Sequence, residues 1–125
     1  MNVGKIIDSL LDGVIALYPK VAPQQTTGTH AVYHVISNTP TDVKESASVV
    51  DIVRVQISIF ANTYAALQTA AESVRSTLDY FQGTTNSIAV DLIRYENETD
   101  DYEMDTNEYM ISQDYFIRIK NESTT

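Results

Sequence analysis

The chain has 125 residues, 43% of them hydrophobic, with 4 Gly, 3 Pro and no Cys, and carries a formal charge of −9 from 8 basic and 17 acidic side chains. That length and composition fit one ordered domain with a single core, and the missing cysteine excludes disulfides, thiolate metal sites and cysteine nucleophiles. The acidic balance argues against a protein that grips nucleic acid by neutralising phosphates, which needs clustered Lys and Arg.

The acidity belongs to one segment. Residues 96–108 hold seven acids (Glu96, Glu98, Asp100, Asp101, Glu103, Asp105 and Glu108), leaving 10 acidic against 8 basic residues elsewhere. At the N-terminus, Asp8 and Asp12 interrupt what would otherwise be an apolar segment, so the features of a signal peptide are missing. No stretch approaches the roughly 18 apolar residues of a membrane span. A soluble protein made in the cytoplasm is expected.

Along the chain, Val3, Ile6, Ile7, Leu10, Leu11, Val14, Ile15 and Leu17 recur at spacings of three and four. This predicts an amphipathic helix over 3–18, with Asn2 as N-cap and Pro19 as its end. A Pro/Gly/Thr/Gln-rich loop leads to a first strand at 30–37, HAVYHVIS, rich in β-branched and aromatic residues. After a turn region containing Pro40, alternation resumes: Val53, Val55, Ile57 and Ile59 on one face, Arg54, Gln56 and Ser58 on the other.

The strand then breaks into a helical rhythm. Asn62 or Thr63 is the expected cap of a second helix whose apolar side is Tyr64, Leu67, Ala70, Ala71, Val74, Leu78 and Phe81, with Gly83 as its stop. A third strand is expected at SIAVDLIRYE with Ile88, Val90 and Leu92 facing one way, and a fourth at EYMISQDYFIRIK with Tyr109, Ile111, Tyr115, Ile117 and Ile119 inward, interrupted by Gln113. Between them the acidic tract reads as a loop or a hairpin's protruding tip, because its charges repel one another. Residues 121–125 read as a polar tail after a single domain over 1–120.

These elements predict an α+β two-layer sandwich of order α-β-β-α-β-β, with two helices on one face of a four-stranded, mainly antiparallel sheet. The preferred strand order is third, fourth, second, first, with the second and fourth central and parallel.

Little catalytic chemistry is visible. His30 and His34 lie four apart in a strand with no evident third ligand and read as ordinary histidines. The stretch DYEMDTNE has alternating carboxylates but lacks the glycine a calcium loop needs. Asp91 and Glu96 are the carboxylates a small metal-dependent nuclease would use, yet nothing places Lys5, Lys20, Lys44 or Lys120 beside them. No metal or cofactor is expected. The outward residues Arg54, Gln56, Ser58, Ser112, Asp114 and Arg118, mixed with Val50, Ile52, Phe60, Met110 and Phe116, form either a solvated sheet face or a subunit contact.

The segments IIDSLLDGVIALYP, AVYHVIS, RVQISIFANTYAALQTAAESVRSTLD and YMISQDYFIRI, in this order over residues 3–119, resemble the tail-completion or tail terminator proteins of long-tailed bacteriophages and prophages. The resemblance implies a non-enzymatic virion protein, assembled in the host bacterial cytoplasm. It implies a homo-oligomer, usually a hexameric ring, that caps the head-proximal end of the tail tube, stops polymerisation and offers a surface to the head-tail connector protein. DNA would pass through without specific binding. A neck protein on the head side of the same junction is the alternative within this class. In the ring, Asp42, Lys44, Glu45, Glu98, Asp100, Asp101, Glu103 and Asp105 are candidates for loops facing the tube, the connector or the lumen, where carboxylates would repel DNA phosphates over about 8 Å.

Overall fold

A computed structural model describes residues 3–19, 28–40, 49–85, 88–104 and 107–121. Asn2, Lys20, Asp42, Lys44, Glu45, Asp105 and residues 122–125 lie outside that set. The elements in chain order are α1 (Val3–Leu11), β1 (Ala16–Pro19), β2 (His30–Pro40), β3 (Val49–Ala61), α2 (Tyr64–Leu78), β4 (Gly83–Thr85), β5 (Ile88–Glu103) and β6 (Glu108–Asn121).

The four-stranded sandwich of order α-β-β-α-β-β is thereby corrected. Six strands form one mixed, strongly curled half-barrel sheet in the order β1-β2-β3-β6-β5-β4. The mixture arises at one edge, where β1 pairs parallel with β2 while every other pair is antiparallel. The four long strands do run β2-β3-β6-β5, but β3 and β6 are antiparallel rather than parallel. The reason is the connection: α2 carries the chain from β3 across to β5, and β6 then returns by a hairpin into the gap, opposed to both neighbours.

Two edge elements were hidden in the apolar pattern. The expected helix over 3–18 stops at Leu11, where the amides of Val14 and Ile15 both bond the Leu11 carbonyl and Gly13 takes φ +79°. That left-handed residue is the stop that Asp12-Gly13 encodes, and it frees Ala16–Pro19 to pair with His30–Tyr33. Likewise α2 ends at Leu78 and not near Gly83. Asp79 caps it, Tyr80 turns the chain at φ +68°, and Gly83 at φ +138° opens β4.

The N-terminus of α2 follows from Thr63, whose hydroxyl accepts from the Ala66 amide at 3.2 Å. Such a cap contributes about 1 kcal/mol. The buried residues of α1 (Val3, Ile6, Ile7, Leu11) and α2 (Leu67, Ala71, Val74, Leu78) share one cluster with Val53, Val55, Ile57 and Ile59 of β3 and Ile111, Tyr115, Ile117 and Ile119 of β6. Both helices therefore cover the same face of the sheet. Each fully buried Ile or Leu there contributes roughly 1.5–3 kcal/mol of transfer free energy.

Bulges change the phase of β5. One falls between Val90 and Leu92 and another between Tyr95 and Asn97. The first turns Leu92 outward, opposite Arg118, and places Ile93 inward against Ile117, so the expected common face of Ile88, Val90 and Leu92 does not hold. The second brings Glu98 opposite Gln113 on the helix-covered side. The acidic tract is thus strand rather than loop over most of its length, paired from Glu98↔Gln113 to Glu103↔Glu108.

Candidate functional site

On the face opposite the helices, β3 and β6 bring the six outward residues together. Ser58 lies opposite Ser112, Gln56 opposite Asp114, and Arg118 opposite Ile52. Arg54 Nη2 donates to Asp114 Oδ2 at 2.8 Å, the two serine hydroxyls are 3.3 Å apart, and Arg118 Nε donates to Asp91 Oδ2 at 3.2 Å. Arg54 and Arg118 are thus each partnered within the chain, although the Arg54 Nε is buried without an acceptor.

Interleaved with these polar groups are the half-buried Ile52, Phe60, Met110 and Phe116. His30 is buried, stacks on the Phe60 ring at 5.0 Å and donates from Nδ1 to the Gly28 carbonyl at 2.9 Å. It is a packed, satisfied histidine. His34 is exposed on the same face, opposite Gln56.

At the far end of the β5–β6 hairpin the arrangement differs. Tyr102 and Tyr109 are direct cross-strand partners with ring centroids 4.8 Å apart, and Tyr64 meets Tyr109 edge-on at 5.8 Å. Tyr64 Oη donates to Asp100 Oδ2 at 3.3 Å, Tyr102 Oη to Asn107 Oδ1 at 3.2 Å, and the Tyr102 amide to Asp101 Oδ1 at 2.8 Å. Asn107, at φ +55°, makes the turn. Of the expected loop residues, Asp100 and Asp101 therefore sit at an exposed strand end among aromatic rings, and Glu103 pairs there through its backbone. Glu98 is set apart, tied inward to Gln113.

Gln113 anchors a buried polar chain that sequence reasoning registered only as an interruption. Its Nε2 donates to the Ala71 carbonyl at 3.1 Å and to Glu98 Oε1 at 3.0 Å, and its Oε1 accepts from Tyr115 Oη at 2.8 Å. Burial, reinforced by the Asp79 carboxylate, pushes the Tyr115 phenol far above the ordinary tyrosine range. A Gln and a Tyr two apart on an otherwise apolar strand face were the available signal.

Neither arrangement makes a catalytic constellation. Asp91 is held by Arg118, and Glu96 lies five positions further along an extended strand, roughly 15 Å away. Among the described residues no group of three or more His, Asp or Glu side chains converges to hold a metal ion. A depression of about 570 Å³ beside α1 is lined by Lys5, Asp8, Ser9, Asp12 and apolar neighbours, without a nucleophile–base pair. No helix among the described residues is long and apolar enough to cross a membrane.

No family model matches the sequence, and no curated protein matches it. Among solved structures, the fold is similar to that of a chain in the "Virion of native gene transfer agent (GTA) particle", with a TM-score of 0.66 and 14% sequence identity. The likeness covers 93% of this chain and 85% of that one, so the two share an overall fold across nearly the whole domain.

Proposed function

We propose that this chain is a structural virion protein that caps the head-proximal end of a phage tail tube, stops its polymerisation and provides the surface joined by the head. The observation that carries the proposal is the shared fold with a virion-particle chain over 93% of the sequence, joined to the sequence resemblance to tail terminators. The open sheet face supports it. A surface whose charges are already paired and whose apolar side chains are half buried can be covered by another copy without stranding an ion. In this reading the copies close into a hexameric ring through Arg54, Gln56, Ser58, Ser112, Asp114 and Arg118, and DNA passes through the ring without being gripped.

The test adds the purified protein to polymerising tail-tube subunits and measures tube length by electron microscopy. Tubes that stop growing and carry a ring at one end are expected. Unchanged length distributions, with no protein at tube ends, would remove the tube-capping role. Co-assembly with the head connector alone would instead favour a neck protein on the head side.

A further inference from the structure

Tyr64, Tyr109 and Tyr102 form a continuous edge-to-face ladder at the hairpin end, with centroid separations of 5.8 and 4.8 Å. Because α2 begins only at Tyr64, the hairpin runs on past the helix and its rings stay open. Tyr64 and Tyr102 are each 43% exposed, and Met104 beyond them is 79% exposed. Asp100 lies at the Tyr64 hydroxyl and Asp101 at the Tyr102 backbone amide, and the sequence contains no Lys or Arg between Arg94 and Arg118.

Other aromatic rings of this chain carry an arginine. Arg75 lies 3.7 Å from the centroid of Tyr95, Arg94 4.2 Å from Tyr80 and Arg54 5.9 Å from Phe116. The fourth arginine, Arg118, is bound to Asp91. All four are thereby engaged away from the ladder, where Asp100 instead accepts from the Tyr64 hydroxyl at the ring's rim and Asp101 from the Tyr102 backbone amide. Negative π-faces next to carboxylates are a site for a guanidinium, which stacks on the ring and bonds the acid together.

We propose that this hairpin end is a docking surface for an arginine-bearing basic segment of a different protein. A second copy of this chain does not fit, because its arginines are occupied and an acidic hairpin repels its own kind. Carboxylates alone would attract any cation; the rings are what select arginine over lysine. The inference goes beyond the tube-capping proposal and does not depend on it.

The experiment measures binding of three labelled twelve-residue peptides, arginine-rich, lysine-rich and glutamine-rich, to the full chain by fluorescence anisotropy at 150 mM salt. The arginine peptide should bind more tightly than the lysine peptide, by no more than the about two- to fivefold per ring that a whole exposed cation–π contact supplies, and the glutamine peptide not at all. A Tyr64→Leu/Tyr102→Leu variant should lose that preference, whereas Tyr80→Leu, remote from the hairpin, should keep it. Equal affinity for arginine and lysine, no effect of the double substitution, or no binding would each overturn the proposal. Should the double variant fail to fold, an NMR titration of the unaltered protein decides: shifts centred on Tyr64, Tyr102 and Tyr109 support the site, and shifts confined elsewhere overturn it. Peptide probes also keep this outcome separate from the tube-length assay.

Discussion

Tyr115→Phe removes one oxygen from the interior and should destabilise the domain by about 1–3 kcal/mol. Tyr115 is fully buried and donates to Gln113 Oε1 at 2.8 Å. Without that hydroxyl, the Gln113 oxygen is left beneath α2, its residue only 1% exposed, and the cost is that of an unsatisfied buried acceptor. Gln113→Leu strands the tyrosine hydroxyl in the same way. The double variant removes both partners and leaves an apolar pair of similar volume, so its cost should fall below the sum of the singles by about 1 kcal/mol or more. Urea unfolding at constant m would show this as midpoint shifts, with 2 kcal/mol moving the midpoint by about 1 M. The pH dependence supplies a second readout. Burial raises the folded pKa of Tyr115, and of Tyr95 and Tyr33, above the ordinary value of 10. Their contribution is fully present below about pH 10, the unfolded value, and is lost as pH rises from there toward the folded values. Tyr115→Phe should flatten that alkaline decline without abolishing it. Strict additivity of the two substitutions, together with an unchanged alkaline slope, would refute the buried chain.

Three further outcomes are expected. Asp79→Ala should cost about 1–3 kcal/mol in thermal or urea unfolding, because Asp79 Oδ1 accepts from the Tyr95 amide at 2.9 Å and the side chain is only 9% exposed; Asp79→Asn, which keeps an oxygen acceptor, should cost less. Ile57→Asp should prevent cooperative folding by circular dichroism, since Ile57 is 0% exposed in the core and an unpaired buried carboxylate costs several kcal/mol. Asp114→Ala breaks a pair whose arginine is 42% exposed, so monomer stability should fall by no more than about 1 kcal/mol, while the proposed self-association through this face, measured by sedimentation, should weaken more.

The parts of the fold that were legible are those where one periodicity runs unbroken. Odd-numbered residues of β3 are inward from Val53 to Ile59, and the β6 face continues through Ile117 and Ile119 despite Gln113, so the inward and outward sets separate on sequence pattern alone. Thr63 worked for the same reason, standing where a period of two becomes a period of 3.6. What failed is where two patterns share the same residues. Val14, Ile15 and Leu17 continue the helical spacing of α1 although a glycine has already ended it, and so β1 was absorbed into the helix. Bulges defeated the third strand differently: one extra residue at Asp91 reverses the facing until a second bulge between Tyr95 and Asn97 restores it, and apolar Leu92 gives no sign of it. Of the two readings of the acidic tract, the hairpin's protruding tip matches and the loop does not, because backbone pairing with 108–113 and the Tyr102–Tyr109 contact outweigh the like-charge repulsion. Of the candidate site, the open face was readable as a set. The tyrosine ladder was not, since its three rings come from three elements.

The two surfaces differ in how their charges are disposed, and the difference bears on what each can meet. On the open face Arg54 is matched to Asp114 and Arg118 to Asp91 at 2.8 and 3.2 Å. Covering such pairs removes water from ions that already have partners, so no charge is left uncompensated, and half-buried Ile52, Phe60, Met110 and Phe116 add apolar area to the same surface. In the proposed ring, identical copies would meet there with neither contributing an unmatched ion. At the hairpin Asp100 and Asp101 have hydroxyl and amide partners and, among the described residues, no cation, so a partner lacking positive charge would bury them at a loss. That asymmetry separates a neutral face, suited to like copies, from an acidic aromatic end, suited to an unlike one. The proposed role between a repeating tube and a head calls for both kinds of surface on one small sheet, and the phase of β5 positions them. Its first bulge sets Asp91 against Arg118 on the open face, while its last residues carry Asp100 and Tyr102 out beyond the helix.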